Sequence, residues 1–261
     1  MACRDTKKAN IIAEKLRKDS SNPNITVESL DLSSLQSVSS FATRIFDANI
    51  SIYALVNNAA VFYAAPSLTK DNIDITFQTN YVGPFLLTIL LLPALRSHSS
   101  SSRIINICSQ AHRIPTEFPK LEYQNSSYTD TAQNRFEAYQ YSKFYLVSFS
   151  NHLNRILENT KVSVHCVDPG NVETNIFRSF PFLSNPWLFA LQKPIRLVCV
   201  KTPNEGIQTI LHALLATAPP FYMINLKESN EINPRVFDQV LSNSIWTESQ
   251  KLCATHLPST I

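Results

Sequence analysis

Two stretches decide the fold, Arg103-Ile-Ile-Asn-Ile-Cys-Ser109 and Val162-Ser-Val-His-Cys-Val-Asp-Pro-Gly170. Each starts as a short apolar run with β-branched residues, which is typical of a buried strand, and each ends in polar or turn-forming residues. Residues 132–157 lie between them and have helical spacing. Strand, helix and strand in this order predict a parallel sheet in a domain of the α/β class.

The alternation of strands and helices continues outward in both directions. Near the start of the chain, residues 6–18 have helical spacing, with Ile11, Ile12 and Leu16 on the apolar side. No internal repeat or linker interrupts the pattern, so residues 1–261 are predicted to form a single domain with a Rossmann-like, doubly wound parallel sheet. The remaining predicted strands lie at 25–32, 52–56 and 221–226, and the remaining helices at about 34–48, 71–97, 204–217 and 237–252.

The composition excludes several classes of function. A hydrophobic content of 44% and a charged content of 16% in 261 residues are typical of a soluble globular domain with its own core. The net charge of +3 is spread without long basic runs, which argues against nucleic acid as a partner. The five cysteines include no Cys-x-x-Cys pair, so we expect free thiols in a reducing compartment such as the cytoplasm, and no metal site.

The apolar segments do not predict a membrane span. The first ten residues lack the apolar run of a signal peptide, and the longest apolar stretch, 85–95, is too short to cross a bilayer. We predict that 85–95 is a buried helix. The region 171–200 is rich in aromatic residues and prolines, and we predict a substrate lid there, with contact with a membrane surface as the alternative.

Polar or turn-forming residues follow five consecutive predicted strands. In doubly wound sheets, ligands bind beyond the carboxyl ends of the strands, so this edge of the sheet is the predicted ligand site. The residues are Arg4, Asp31, Asn57, Ser109 and the pair Pro169-Gly170.

A tyrosine and a lysine lie four residues apart in the predicted helix 132–157, in the sequence Tyr139-Gln-Tyr-Ser-Lys143. Residues at i and i+4 share a helix face, so the ammonium can lie near the phenol. A nearby cation favours the phenolate and lowers the pKa of Tyr139 from its usual value of about 10. Such a tyrosine can exchange a proton with an alcohol or carbonyl near neutral pH, although the spacing alone also fits a surface pair.

The order of these residues resembles the short-chain dehydrogenase/reductase family along nearly the whole chain. The resemblance rests on Asp31-Leu32, Asn57-Asn58-Ala59, Asn80, Ser109, Tyr139 with Lys143, and Pro169-Gly-Asn-Val-Glu-Thr174. Finer matches are similar to the retinol-dehydrogenase-like branch, with some likeness to the WW-domain oxidoreductases. They are Ala2-Cys-Arg4, Phe77-Gln-Thr-Asn80, Arg103-Ile-Ile-Asn-Ile-Cys-Ser109-Gln-Ala-His112 and Asn204-Glu-Gly-Ile-Gln-Thr209.

The resemblance implies an oxidoreductase that interconverts an alcohol and a carbonyl on a small apolar substrate, such as a retinoid, a steroid or a lipid aldehyde. It implies that Tyr139 is the acid/base, that Lys143 tunes Tyr139 and binds the nicotinamide ribose, and that Ser109 binds the substrate oxygen. Asn80 would hold a helix kink and a water that relays protons. Asn80, Ser109, Tyr139 and Lys143 are therefore the predicted catalytic set.

The resemblance also implies a nicotinamide dinucleotide cofactor. Arg4 would pair with a 2′-phosphate, which favours NADP(H) over NAD(H), and a solvated arginine is the alternative. A homodimer remains open, as does association of a longer form with the membrane of the endoplasmic reticulum. The other residues implied to contact the cofactor are Asp31, Leu32, Asn57, Ala59, Tyr139, Lys143, Pro169, Val172 and Thr174.

The sequence departs from the family pattern at two places. Ala60 stands where the pattern has a glycine after Asn-Asn-Ala, and Met1 falls within the family's second strand. With only three glycines in the chain, no glycine-rich phosphate loop can be written. We therefore expect a sheet that lacks the family's first strand and first helix, in a partial sequence, a truncated isoform or a non-catalytic descendant. The rival expectation is an interaction protein that uses the open sheet as a binding surface.

Overall fold

The computed structural model describes residues 1–116, 130–172 and 201–258. Helices and strands alternate along these residues, as predicted. In chain order the elements are β1 (Ala2–Cys3), α1 (Thr6–Ser20), β2 (Glu28–Ser29), α2 (Leu35–Asp47), β3 (Ala54–Asn57), α3 (Ile75–Phe77), a π-helical turn (Gln78–Val82), α4 (Gly83–Arg96), β4 (Ser102–Ile107), a 3-10 turn (Gln110–Arg113), α5 (Ala132–Ile156), β5 (Val162–Asp168), α6 (Pro203–Leu215), β6 (Tyr222–Ile224), β7 (Lys227–Glu228), a second 3-10 turn (Pro234–Phe237) and α7 (Gln239–Leu252).

The main sheet has five strands in the order β3-β4-β5-β6-β7. Strands β3 to β6 run parallel, and β7 pairs antiparallel with β6. All of β4 is buried, and all of β5 except Ser163. Burial along the whole strand is typical of a parallel sheet covered by helices on both faces. The α/β class and the parallel sheet are confirmed, whereas β7 is a strand that the hydrophobic pattern did not predict.

The largest part of the core is a set of aromatic rings between α4, α5 and α7. The ring centroids of Tyr81 and Tyr145 are 5.4 Å apart, and those of Phe85 and Phe149 are 5.0 Å apart. The Tyr81 hydroxyl and the Ser249 hydroxyl lie 2.5 Å apart, which satisfies a phenol that is fully buried. Offset and edge-on ring pairs stabilise a core beyond the area that they bury.

The helix at the centre of this core is long and apolar. Counted through the π-helical turn, Ile75–Arg96 has 22 residues and could cross a membrane by length and composition, yet 83% of its apolar window is buried inside the protein. The prediction of a buried helix at 85–95 is therefore confirmed. A π-helical turn lies directly before Gly83, and α4 continues through Pro93.

Arg103 fastens α6 to the sheet. This residue of β4 is only 7% exposed. Its guanidinium donates hydrogen bonds to the carbonyl oxygens of Ala213 at 2.9 Å, Leu214 at 2.7 Å and Ala216 at 2.6 Å. These carbonyls form the C-terminal end of α6, where the helix dipole is negative, so a buried cation is stabilised there.

Strands β1 and β2 form a second, separate parallel sheet. Among the described residues no strand lies between this pair and β3. Along β3, Val56 is 38% exposed, in contrast to the fully buried β4. The expectation of a sheet without the family's first strand therefore agrees with the structure, in which the sheet is split.

Helix α1 differs from its prediction. The apolar side predicted to face the core is exposed, at 70% for Ile11, 44% for Ile12 and 41% for Leu16, and only Ala9 and Ala13 are buried. The helical period was correct, but the described residues provide no layer to cover that side of α1. A hydrophobic stripe predicts which side prefers burial, and the rest of the fold must supply the partner.

Gly83 allows the two parts of the structure to touch. A Cβ atom at this position would lie 2.4 Å from the backbone oxygen of Leu32 and 3.0 Å from its Cβ atom. Leu32 follows β2 and is buried in the same core as α4. The start of α4 therefore packs directly against the backbone that leaves the small sheet, at a distance that only glycine permits.

We predict that Gly83→Ala destabilises the protein by about 1–3 kcal/mol, because the added methyl forces the Leu32 backbone away from α4. Urea unfolding followed by circular dichroism measures this change. In an unhindered helix the same substitution stabilises by roughly 0.5–1 kcal/mol, so the sign is diagnostic. A variant as stable as the native chain, or more stable, would contradict the close contact.

Candidate active site

A cavity of about 910 Å³ lies beyond the carboxyl ends of β3, β4 and β5. This is the edge of the sheet at which the sequence predicted a ligand site. Helix α5 contributes Tyr139 and Lys143 to the wall. The segments after the three strands contribute further lining, which includes Asn58, Ala59 and Ala60 after β3, Ser109 and Gln110 after β4, and Pro169, Gly170, Asn171 and Val172 after β5.

Tyr139 lies on the buried side of α5 and is 8% exposed. Its ring meets the edge of Phe62 with centroids 4.8 Å apart, so Phe62 fixes the orientation of the phenol. Burial raises the pKa of Tyr139 to about 12, against a hydrogen bond with Ser109 that lowers it. In the protein alone, the phenol therefore holds its proton at neutral pH.

Lys143 lies one turn further along α5 and is 3% exposed. Its Nζ atom donates a hydrogen bond of 2.8 Å to the carbonyl oxygen of Ile107 and lies 5.7 Å from the centroid of the Tyr139 ring. Burial lowers the pKa of Lys143 from 10.5 to about 8. The predicted pairing on one helix face is correct, but the predicted lowering of the Tyr139 pKa is not found, because burial of the phenol raises it.

Ser109 is placed by the end of β4. Its backbone is extended, and its Oγ atom accepts a hydrogen bond of 3.3 Å from the backbone N–H of Ala111, so it caps the 3-10 turn that follows. Ser109 and Tyr139 both line the cavity, and Ser109 acts to lower the pKa of the Tyr139 phenol. The structure thus brings together three of the four predicted catalytic residues.

The fourth, Asn80, is not part of the cavity wall. It lies in the π-helical turn and is 1% exposed. Its Oδ1 atom accepts from the backbone N–H of Val61 at 2.8 Å, and its Nδ2 atom donates to the Val61 oxygen at 2.9 Å and to Ser142 Oγ at 3.0 Å. Asn80 therefore ties the loop after β3 to α5. The π-helical turn lies where the kink was predicted, and both the kink and the proton relay through a water remain predictions.

Asn57 also has a different environment from the one predicted. Its side chain is buried and donates to Thr88 Oγ1 at 3.0 Å and to Asn106 Oδ1 at 2.7 Å, and it does not line the cavity. It connects β3 to β4 and α4 in the interior. Its neighbours Asn58 and Ala59 line the cavity, and the predicted contact of Ala59 with a cofactor stays a prediction. Ala60 has no positive φ, so the replacement of the family's glycine adds no backbone strain.

The turn after β5 is held from both sides. Asp168 Oδ1 accepts a hydrogen bond of 2.8 Å from the backbone N–H of Gly170, whose φ is 79°. Val172 forms a bridge with Lys201, and a Cβ atom on Gly206 would lie 2.4 Å from a Val172 methyl group. Pro169 and Val172 line the cavity, and their contact with a cofactor stays a prediction.

Three predicted cofactor contacts lie elsewhere. Arg4 is exposed after β1, Asp31 accepts hydrogen bonds from the Ser33 backbone and hydroxyl, and Leu32 is buried in the core. None of the three lines the cavity, because they follow the strands of the small sheet and not those of the main sheet. Thr174 and most of the predicted lid, residues 173–200, lie outside the described residues.

Sequence reasoning missed two features of the site. Phe62 had no motif to mark it, and only its contact with Tyr139 identifies it. A buried polar cluster beneath the cavity, with Arg113, Asp168 and Tyr222, was also missed, because these residues come from three different elements. Within the described ranges no group of three or more potential metal ligands is found.

Comparisons with known proteins agree with this geometry. Residues 1–119 match the family model described as short chain dehydrogenase. Retinol dehydrogenase 13 of Mus musculus is 32% identical over 257 residues, which span 97% of this chain and 75% of that protein.

Solved structures share the fold. A Pseudomonas aeruginosa RhlG/NADP active-site complex matches with a TM-score of 0.60 and 24% identity, over 86% of this chain and 81% of that one. NADPH-bound carbonyl reductase from chicken fatty liver matches with a TM-score of 0.57 and 21% identity, over 83% and 79% of the two chains. The extent of the match to retinol dehydrogenase 13 and the shared fold show that this chain belongs to the short-chain dehydrogenase/reductase family of oxidoreductases, on its retinol-dehydrogenase-like branch.

Proposed function

We propose that this protein is an NADP(H)-dependent oxidoreductase that interconverts an alcohol and a carbonyl on an apolar substrate such as a retinoid, a steroid or a lipid aldehyde. The observation that carries the proposal is the convergence of Tyr139, Lys143 and Ser109 on one cavity at the carboxyl ends of the strands. A phenol, an ammonium and a hydroxyl in one place can move a proton to or from a substrate oxygen and stabilise the charge that develops there.

Tyr139 would act as the acid in the direction of reduction. Its raised pKa keeps it protonated at neutral pH, so it has a proton to donate to the carbonyl oxygen. Ser109 would bind that oxygen from the other side. A nicotinamide cofactor, when bound, supplies the hydride in this direction and takes it up in the other.

The residues present fit one end of such a cofactor. Lys143 faces the cavity and uses one of its three N–H bonds on Ile107, so it can bind ribose hydroxyls, and Pro169 and Val172 would close over the nicotinamide. The described residues show no matching cradle for the diphosphate: Gly83 and Gly206 lie in helices, and Gly170 lies alone in the turn after β5. The relatives with NADP in their structures support NADP(H) as the cofactor to test first.

The apolar side of the cavity supports an apolar substrate. Val61, Phe62 and Ala64 line it from the loop after β3, and Ile114 and Phe136 line it from the two segments that flank residues 117–129. The name of one relative, retinol dehydrogenase 13, gives an apolar substrate of this class. The described cysteines are all free, which fits a reducing compartment such as the cytoplasm.

One observation favours a second candidate function. The exposed apolar residues of α1 and the partly exposed β3 leave a surface that a partner could cover. In this alternative the chain is a non-catalytic interaction protein. The two candidates differ in whether the chain binds NADPH.

NADPH binding is the first prediction. A folded enzyme at a cofactor concentration of 100 times its Kd should gain about 2.7 kcal/mol of stability, which raises its melting temperature. Calorimetric melting with and without NADPH, alongside fluorescence titration, checks this. A cooperative melt that NADPH leaves unchanged would favour the interaction protein over the enzyme.

The second prediction concerns Tyr139. Tyr139→Phe removes the acidic proton and should lower carbonyl reduction by roughly 10²–10⁴-fold, while NADPH binding persists. Reduction of all-trans-retinal followed by absorbance measures the rate. Tyr141→Phe on the same helix is the matched control and should keep native turnover. Retained turnover in Tyr139→Phe would remove the proposed acid.

The third prediction concerns pH. Because the pKa of Lys143 is about 8, kcat/KM for NADPH should fall as the pH rises through about 8 and the ammonium loses its charge. Tyr139 stays protonated across this range and sets no limit there. Lys143→Arg should flatten the profile between pH 6 and 10, since arginine keeps its charge. A fall that persists at the same pH in Lys143→Arg would assign it to another group.

A further inference from the structure

A buried carboxylate ends β5 directly below the cavity. Asp168 is 2% exposed. Its Oδ1 atom holds the following turn through the Gly170 N–H, whereas its Oδ2 atom is buried and has no hydrogen-bond partner. A buried carboxylate oxygen without a donor is costly, and it is tolerated best where cations lie nearby.

Two cations from other elements lie near this carboxylate. Lys143 is bonded to Ile107, and Ile107 is the register partner of Val167, which precedes Asp168. Arg113 comes from the 3-10 turn after β4, and its Nη1 atom pairs with Glu231 Oε2 at 2.5 Å, but its Nε and Nη2 atoms are buried without partners. All three residues line the same cavity, and both cations act to lower the pKa of Asp168.

We infer that Asp168 is a positioning residue of the proposed active site, whose carboxylate keeps the Lys143 ammonium charged and fixes the turn formed by residues 169–172. This inference rests on the proposed function, because it assumes that the charged Lys143 binds the cofactor. The charge itself can be measured whether or not the protein is an enzyme.

Other groups near Asp168 do not supply a negative charge at neutral pH. Burial raises the pKa of the Cys108 thiol well above its ordinary value and that of the Cys166 thiol to about 12. Burial likewise raises the pKa values of Tyr139 and Tyr222. The remaining titratable or charged groups facing this region are Lys143, Arg113, His112, Lys201 on the Pro169 oxygen, and Glu231 on the far side of Arg113.

Among the groups near Lys143, Asp168 is therefore the source of negative charge. Burial raises its pKa, and the N–H groups of Gly170 and Gln110 together with Arg113 and Lys143 oppose that rise. Hydrogen bonds from N–H groups and nearby cations both favour the charged form of a carboxyl group. The pKa of Lys143 is lowered by burial, and the negative charge of Asp168 acts in the opposite direction. Removal of that charge should therefore lower the pKa of Lys143 further.

The test is a titration of Lys143 in Asp168→Asn. Asparagine keeps the shape and can still accept the Gly170 hydrogen bond, so the change is mainly one of charge. In protein with ¹³C,¹⁵N-labelled lysine, the Lys143 signal is assigned by its loss in Lys143→Met. We expect its midpoint to move down by about one pH unit from the native value near 8.

Two further variants sharpen the comparison. Asp130→Asn removes an exposed carboxylate paired with Arg135 at the start of α5 and should leave the Lys143 midpoint unchanged. Asp168→Ser also removes the charge and retains an oxygen for the turn, so it should shift the midpoint as Asp168→Asn does. Thermal melting confirms that each variant is folded before it is titrated.

The proposal fails if the Lys143 midpoint is the same in Asp168→Asn and the native protein, or if Asp130→Asn moves it equally. If neither Asp168 variant folds, the test is made on the native protein. The ¹³Cγ chemical shift of Asp168 then reports whether its carboxyl group is ionised. A carboxyl that is still protonated at pH 7 would overturn the inference. Loss of activity in Tyr139→Phe bears on the proposed function and not on these titrations, so the two failures are distinguishable.

Discussion

The pairing of β4 with β5 is the constraint on which the site depends. Six consecutive residue pairs hold the two strands in register, and nearly all of these residues are buried. A slip of one residue would turn every side chain to the other face of the sheet. The register therefore fixes Ser109 and Asp168 at neighbouring strand ends, and α5, which connects the strands, brings Tyr139 and Lys143 over them. The chemistry of the cavity is a product of strand register more than of any single loop.

Much of this arrangement could be predicted from the sequence. Apolar runs with β-branched residues identified β4 and β5, and the helical spacing between them identified α5 within one residue at its C-terminal end. Tyr139, Lys143 and Ser109 were found because their spacing places them at strand ends and on one helix face. Local patterns of this kind survive in the folded protein because the packed sheet requires them.

Other features depend on contacts that no local pattern encodes. The exposure of Ile11, Ile12 and Leu16 follows from the absence of a covering layer among the described residues, and the interior role of Asn57 follows from Thr88 and Asn106 on other elements. The raised pKa of Tyr139 is a property of its burial, which sequence spacing does not report. The three carbonyls that surround Arg103 are likewise separated from it by more than one hundred residues.

The separation of the two sheets determines which part of the molecule unfolds first. The β1–α1–β2 unit has few buried side chains of its own, and its link to the main sheet passes through the region of Leu32 and α4. Cooperative units of a protein unfold in order of their buried apolar contacts. This unit is therefore expected to fray while the main sheet stays intact, so its amides exchange with solvent through sub-global opening. The cavity residues on β4, β5 and α5 belong to the slow-exchanging part, and fluctuations of the small sheet leave their geometry in place.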